Sequence, residues 1–296
     1  MSKRNEFMRL RRIFAAGAGT ALIGALALAL TAGGTRSVAA DQSAATAAPA
    51  LEENPAPARQ SWSFYGPFGK FDRAQLQRGY QVYHEVCSNC HSMKLVAFRD
   101  LASSSGPAFS EDQVKALAAT FKVKDGPNEA GDMFERPGRP SDYFPSPFPN
   151  PQAARAALGA APPDMSVLAK ARDIERGFPL FIVDAFTQYQ EEGVDYIYAL
   201  LNGYSKADNP NYNEYFPGHR IAMPPPLSDG VVDYTDGSPK TVPQYAKDVS
   251  AFLMWAAEPK LEARKSLGFA VIIYLVIFAS LLYLVKKRIW AKVGPH

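Results

Sequence analysis

The chain has 296 residues, of which 47% are hydrophobic and 21% charged, and its formal net charge is +3 at pH 7. Ten of the 32 basic residues lie near the two ends, in residues 1–40 and in 286–292, with only one acidic residue beside them. Between these ends the chain carries 22 basic and 28 acidic residues, a net charge of −6. This balance disfavours a nucleic-acid partner and suits either a basic protein partner or an ordinary solvated surface.

Residues 1–40 have the pattern of a secretory signal peptide. Lysines and arginines precede an apolar run over 13–30, and small residues ending in Val38-Ala39-Ala40 follow it. This order predicts cleavage before Asp41, and a retained anchor is the alternative, which the glycines in the apolar run disfavour. Export would place the rest of the chain outside the reducing cytoplasm.

Residues 41–60 are rich in Ala, Pro, Gln and Glu, and we expect them to form a flexible lead-in. The aromatic segment 62–71 is expected to lie as an extended strip on the core. A helix then follows over 72–86, with Asp72 as N-cap and Gln75 as its capping-box partner. Gly79 in this helix would allow a second helix to approach closely.

The predicted helix leads directly into Cys87-Ser88-Asn89-Cys90-His91, which contains the only two cysteines of the chain. A Cys-x-x-Cys-His run is typical of c-type haem attachment, in which two thiols bind the porphyrin vinyl groups and the histidine ligates iron. A redox dithiol and half of a zinc site are the alternatives, but a zinc site needs about two further ligands. We therefore expect one covalently attached haem c, with Cys87, Cys90 and His91 at its site.

The middle of the chain predicts short helices separated by irregular segments. Residues 125–163 are rich in Pro, Gly, Asn and Asp, which favours a loop that could wall a haem edge. The segment 178–186 could be either a helix or a buried strip. Helices are expected over 111–121, from Pro151, from about 163 to 176 with Asp164 near the cap, and over 193–203.

A six-coordinate carrier haem needs a second axial ligand, and methionine raises its potential into the range of electron carriers. Met223 precedes three prolines, whose fixed φ angles would stiffen a loop that holds the thioether against iron. His219, four residues away, is the rival ligand, and its alternative role is that of a surface loop residue. The residues favour Met223 as metal ligand together with His91, and they leave His219 open.

The C-terminal part predicts a helix over 244–258 that crosses the 72–86 helix near Gly79. Residues 266–285 are then uncharged and apolar, which corresponds to about 30 Å of helix, enough to span a hydrocarbon core. A buried soluble helix is the alternative. Because Lys286, Lys287 and Arg288 follow at once, the C-terminus is expected to be cytoplasmic and the haem domain to face outward.

Several runs resemble the cytochrome c1 family, and they lie at 87–91, 150–155, 195–201, 215–218, 221–225 and 255–259. The likeness covers about 60–296. It implies that Met223 is the distal haem ligand and that Arg155, in an Ala-Ala-Arg-Ala run, faces a haem propionate. It also implies a mainly α fold: a cytochrome c-like haem domain with long irregular loops, plus one C-terminal transmembrane helix.

The resemblance implies a membrane-anchored subunit of the quinol:cytochrome c oxidoreductase (bc1) complex, which does not itself catalyse quinol chemistry. Its expected partners are cytochrome b, the Rieske iron–sulfur subunit, a soluble cytochrome c and membrane lipid. The expected domains are a signal peptide (1–40), a periplasmic haem domain (41–258) and an anchor with a short cytoplasmic tail (259–296) in the bacterial inner membrane. The alternatives are a tethered carrier that feeds a terminal oxidase, a peroxidase-like haem enzyme and a structural subunit without haem.

Overall fold

In the computed structural model, which describes residues 54–172, 179, 183, 192–205 and 208–291, most regular structure is helical. The α-helices of this part are α1 (Arg73–Glu85), α2 (Glu111–Ala119), α3 (Pro151–Leu158), α4 (Leu168–Ala171), α5 (Glu192–Asn202), α6 (Val242–Ala257) and α7 (Leu261–Trp290). Short 3₁₀ turns lie at Cys87–Asn89, Phe98–Ala102 and Pro217–His219. The predicted mainly α fold class is confirmed.

The predicted loop over 125–163 contains part of an antiparallel hairpin. Strand β1 (Lys122–Asp125) pairs with β2 (Phe134–Pro137), so that Lys122 lies opposite Pro137. Both strands have four residues and are largely exposed, which leaves too little alternation for the sequence to indicate them. The predicted signal peptide, the lead-in up to residue 53 and most of the 178–186 run lie outside the described residues.

Helix α1 begins where its sequence predicts. The Asp72 side chain accepts hydrogen bonds from the backbone N–H groups of Ala74 (3.0 Å) and Gln75 (3.4 Å). The predicted capping box is wrong, because the Gln75 amide donates instead to Asp248 of α6 at 3.2 Å. The backbone N–H of Asp72 donates to the hydroxyl of Ser63. The Gln75 side chain thus bonds to a carboxylate of another helix, and the Asp72 N–H finds its acceptor in Ser63.

The central contact of the domain is the crossing of α1 and α6, as predicted. A Cβ atom placed on Gly79 would lie 2.1 Å from the backbone oxygen of Asp248 and 2.6 Å from Cβ of Phe252. Only glycine allows the two backbones to come so close. Helix α5 packs against α6 as well, and α4 packs against both α5 and α6.

A buried carboxylate ties the helix crossing to the loop before α6. Asp248 is fully buried and accepts hydrogen bonds from Arg78 Nε (2.9 Å), Gln244 Nε2 (2.9 Å) and the Tyr234 hydroxyl (3.0 Å). Arg78 also pairs with Asp236 at 2.8 Å. Because every oxygen of Asp248 has partners, its burial does not leave an uncompensated charge.

The aromatic segment before α1 packs as a strip on the core, as predicted, but it is folded into turns and is not extended. Trp62, Phe64 and Phe71 are buried, and the Trp62 indole N–H donates to the buried carboxylate of Asp195 in α5 at 2.7 Å. Phe68 differs, since 71% of its surface is exposed. The strip therefore contributes most of its rings to the core and leaves one outside.

Helix α7 contains the whole predicted span 266–285. With 30 residues it is about 45 Å long, and it is the one helix of the described part that is long and apolar enough to cross a membrane. Its first turn is different in character, because Leu261 and Lys265 are buried against the domain. The helix is therefore docked at one end and exposed along its apolar length.

Candidate functional site

The end of α1 positions the Cys-x-x-Cys-His run. The two residues between the cysteines satisfy carbonyl groups that the helix end leaves without partners. The Ser88 hydroxyl donates to the oxygen of His84 at 2.7 Å, and the Asn89 amide donates to that of Glu85 at 3.1 Å. The chain thus passes from α1 into the 3₁₀ turn Cys87–Asn89 without an intervening loop.

One tight turn brings the two thiols and the histidine together. The backbone N–H groups of Cys90 (3.1 Å) and His91 (2.9 Å) both donate to the oxygen of Cys87. The two cysteines are partly buried and are not joined to each other. Burial, and secondarily the nearby Cys90, raises the pKa of the Cys87 thiol to about 12. Within the described residues no group of three or more His, Cys, Asp or Glu side chains could hold a metal ion, so zinc gains no support.

The His91 ring is fixed in one tautomer. It is 8% exposed, and its Nδ1 lies 2.9 Å from the backbone oxygen of Pro163. Because a carbonyl oxygen only accepts, Nδ1 must carry the hydrogen, which leaves Nε2 as the nitrogen with a free lone pair. Burial lowers the pKa of His91 and outweighs the opposite effect of the Pro163 carbonyl. The ring is therefore neutral at pH 7, as a metal ligand must be.

A strap formed by residues 163–166 holds the segment that follows His91. The Asp164 carboxylate accepts from the Ser92 hydroxyl (2.7 Å) and the Lys94 N–H (3.0 Å), and the Met165 N–H donates to the Ser92 oxygen (2.8 Å). The Leu95 N–H donates to the Ser166 hydroxyl at 3.0 Å. The strap thereby fixes the Pro163 carbonyl beside the histidine.

The strap corrects the predicted helix over 163–176, of which only Leu168–Ala171 is helical in the described part. Asp164 does not cap that helix, whose N-cap is Val167. Its carboxylate binds the segment after His91 instead. Burial alone would raise the pKa of Asp164, but the hydrogen bonds from Ser166, Lys94 and Ser92 together lower it. One signal is visible in the sequence, an Asp-x-Ser run after two prolines, whereas its partner about 70 residues away is not.

Met223 lies in a loop that is fastened to the end of α5. The Tyr204 hydroxyl donates to the backbone oxygen of Met223 at 3.0 Å, and the Ile221 N–H donates to the oxygen of Asn211 at 2.9 Å. The Asn213 amide, which is buried, donates to the oxygen of Leu200 in α5 at 2.7 Å. Met223 is itself only partly buried.

His219, the rival ligand, is used within the same loop. Its ring is stacked on Tyr212, with centroids 5.5 Å apart and planes 17° from parallel. Its Nδ1 lies 3.3 Å from the backbone oxygen of Asn213, and its φ of +55° is unusual for a residue with a side chain. These contacts give His219 a role in shaping the loop.

Arg155 lies on the predicted short helix α3. The Asn150 side chain caps this helix at Ala153 N (2.8 Å), and Gly159 ends it in the left-handed region at φ +78°. Ala154 is buried whereas Arg155 is exposed. The helix thus packs through its alanine side and presents the guanidinium outward.

The donor set fits a c-type haem. Cys87, Cys90 and His91 come together in one turn, the histidine offers Nε2, and Met223 lies in a separate, braced loop. Met223, in the loop after α5, and Arg155, on α3, lie on other elements, and no hydrogen bond between described residues links either directly to the turn. The residues missed by sequence reasoning are those of the strap, above all Pro163 and Asp164.

Comparison with known proteins identifies the family. Residues 62–293 match the model of the Cytochrome C1 family. The chain is 51% identical over 247 residues to a cytochrome c1 from Blastochloris viridis, which covers 80% of this chain and 87% of that protein. It is 43% identical over 263 residues to the mitochondrial cytochrome c1 heme protein of Saccharomyces cerevisiae, covering 85% of this chain and 78% of that one.

A longer relative shows the same similarity. The chain is 57% identical over 278 residues to a "Cytochrome b/c1" protein of Bradyrhizobium diazoefficiens; the match covers 91% of this chain but only 40% of that protein's length. The matched family model and the high identity over most of the chain agree with the geometry around His91. The chain belongs to the cytochrome c1 family, the haem subunit of the bc1 complex.

Proposed function

We propose that the chain relays electrons from a Rieske iron–sulfur protein to a soluble cytochrome c, as the membrane-anchored haem c subunit of a quinol:cytochrome c oxidoreductase. The observation that carries this proposal is the His91 ring, whose Nδ1 is engaged by Pro163 within a Cys-x-x-Cys-His turn. Because Nδ1 carries the ring hydrogen and donates it to Pro163, Nε2 is unprotonated and can ligate iron. The chain supplies binding and orientation, and the bound haem supplies reversible one-electron transfer.

Five residues would hold one haem c. Cys87 and Cys90 would form the two thioether links, and as the only cysteines of the chain they allow one such attachment. His91 would ligate iron through Nε2. Met223 would be the distal ligand, and Arg155 would pair with a propionate through its guanidinium fork.

The loop contacts support Met223 over His219 as the distal ligand. The His219 ring is stacked on Tyr212, and its Nδ1 lies against the backbone oxygen of Asn213, so movement of this ring toward iron would break the stack. The Met223 backbone is held by Tyr204, and the residue is only partly buried. Two axial protein ligands would leave no open coordination position, which disfavours a peroxidase.

The proposed topology follows from the ends of the chain. Residues 1–40 would be removed as a signal peptide, 41–258 would form the periplasmic haem domain, and 259–296 would hold the anchor and a short cytoplasmic tail. The basic residues after 285 support a cytoplasmic C-terminus in a bacterial inner membrane. Cytochrome b, the Rieske subunit and lipid would then be neighbours of the anchor or of the domain.

A basic soluble cytochrome c is the expected electron acceptor, because the domain carries net negative charge. Several acidic groups of the domain already have basic partners: Asp125 pairs with Arg136, Asp233 with Lys240 and Asp236 with Arg78. The exposed carboxylates of the hairpin region, at Glu129, Asp132 and Glu135, are the ones we expect to meet a partner.

Copurification tests the proposed complex. Gentle solubilisation of the membrane should yield the chain together with a cytochrome b and an iron–sulfur protein. Recovery with a terminal oxidase and without cytochrome b would instead support the alternative, a tethered carrier that feeds the oxidase. Haem attachment is tested separately by extraction with acidified acetone, which should leave the pigment on the polypeptide. Transfer of the pigment into the organic phase would contradict the thioether links.

A further inference from the structure

The turn formed by residues 64–71, here called the aromatic turn, is clamped to the first turns of α7. The Lys265 ammonium donates to the backbone oxygens of Phe64 (2.6 Å) and Gly66 (2.7 Å). The Glu262 carboxylate accepts from the backbone N–H of Phe71 at 2.9 Å. The two charged side chains therefore hold both ends of the aromatic turn against the helix that carries the apolar span.

The clamp is buried within the domain and is not a contact between exposed side chains. Lys265 is only 5% exposed, which is rare for lysine and occurs when the ammonium has close partners. Phe64 and Phe71, at the two ends of the aromatic turn, are also buried. The backbone between them is thereby fixed in position along α7.

The tip of the aromatic turn carries an exposed ring that lies on the apolar span. The centroid of Phe68 is 5.3 Å from that of Phe269, and the two rings meet edge to face at 73°. Phe68 is 71% exposed and Phe269 is 49% exposed. Glu262, Lys265 and Phe269 are spaced at i, i+3 and i+7, so the clamp and the ring contact share one face of α7.

The position of Phe269 sets the depth of Phe68. The uncharged span begins at Ser266, and a helix rises about 1.5 Å per residue, so Phe269 lies roughly 4.5 Å inside its end. A ring that contacts Phe269 from the domain side is level with the first turn of the span. That level corresponds to the boundary between headgroups and acyl chains, into which interfacial segments bury Phe, Trp and Leu side chains.

We propose that the aromatic turn is a second membrane contact of the haem domain, in which Phe68 enters the interfacial layer of the leaflet on the domain's side. Lipid is the occupant because the exposed ring is continuous with the apolar span of α7. The inference rests on the proposed membrane anchoring of the chain. In this proposal the clamp holds Phe68 at the level of the membrane surface. A domain attached both by the span and by Phe68 would have a fixed height and tilt above the membrane.

Spin labelling of the full-length, haem-loaded chain in phosphatidylcholine vesicles tests the contact. Single cysteines would be introduced as Phe68→Cys, Leu267→Cys and Met133→Cys. Leu267 reports the span, and Met133, which is 62% exposed in the hairpin region, is the matched control outside the turn. The unsubstituted chain should take up no label, since both native thiols would be linked to haem. Collision of the label with oxygen marks lipid, and collision with a water-soluble nickel chelate marks solvent.

The expected ratio of oxygen to nickel collisions at position 68 is several-fold above the ratio at 133 and closer to the ratio at 267. A solvent-like ratio at 68 with a lipid-like ratio at 267 would overturn the contact and leave the anchor intact. A solvent-like ratio at 267 would overturn both. Protection of 68 from both reagents would show a protein neighbour in place of lipid and would also overturn it.

A second variant tests the clamp itself. Lys265→Met removes the ammonium that binds the oxygens of Phe64 and Gly66, so the label at 68 should move toward solvent-like values while that at 267 stays in lipid. An unchanged value at 68 would mean that the clamp does not set the position of the ring. The visible spectrum of each variant shows whether the haem domain is still folded.

Discussion

The helix crossing at Gly79 allows a sharp test of the packing that leads into the haem motif. Replacing Gly79 with alanine would place Cβ 2.1 Å from the Asp248 backbone oxygen and 2.6 Å from Cβ of Phe252. Neither neighbour is a flexible side-chain end that could rotate away. The helices must separate, or α1 must shift along α6, and either movement disturbs the contacts of Asp248.

The magnitude follows from two opposing effects. Alanine favours an isolated helix over glycine by about 1 kcal/mol. Overpacking a tight contact typically costs about 1–3 kcal/mol, and contact with two rigid atoms places this site at or above the upper limit. The net loss in the free energy of unfolding should be about 2 kcal/mol or more. For a domain of about 150–250 residues this lowers Tm by about 4–8 °C.

Thermal unfolding followed by far-UV circular dichroism and by haem absorbance would measure the effect. Gly268→Ala is the matched control, because nothing lies within 4 Å of a Cβ at that position, and it should leave the unfolding of the haem domain unchanged. If the Gly79→Ala protein melts at or above the temperature of the parent, the close crossing of α1 and α6 is refuted.

Three further predictions concern the site. Met223→Leu should lower the reduction potential and let carbon monoxide bind the ferrous haem, which the visible spectrum would show. The control Met133→Leu should leave the spectrum unchanged. If the Met223→Leu spectrum is also unchanged, the distal ligand is another residue, such as His219. Arg155→Gln should lower the reduction potential in a redox titration, because losing a positive charge near the haem favours the ferric state. An unaltered potential would mean that Arg155 is a solvated surface residue that does not act on the haem. Stopped-flow oxidation by a basic soluble cytochrome c should slow steeply with added salt, since exposed charges are screened over about 8 Å at physiological ionic strength; a flat rate would contradict electrostatic docking.

The sequence by itself determined the features that depend on neighbouring residues. The cap at Asp72 was visible because its side chain bonds to N–H groups two and three residues ahead, and the start of α3 was visible because the fixed φ of Pro151 suits a first helical position. The haem motif and the apolar span were visible because each is a contiguous run of residues. Even the crossing at Gly79 was predictable, since a glycine inside a helix indicates close approach.

The tertiary structure alone decided which distant groups meet. Asp248 draws the Gln75 amide away from its local cap, and Asp164 leaves its expected helix to bind Ser92. Lys265, which the sequence places at the edge of an apolar span, is buried against a turn about 200 residues earlier. Buried polar groups must find partners wherever the fold supplies them. Because such partners have no fixed spacing along the chain, the Pro163 carbonyl that fixes the His91 tautomer became apparent only in three dimensions.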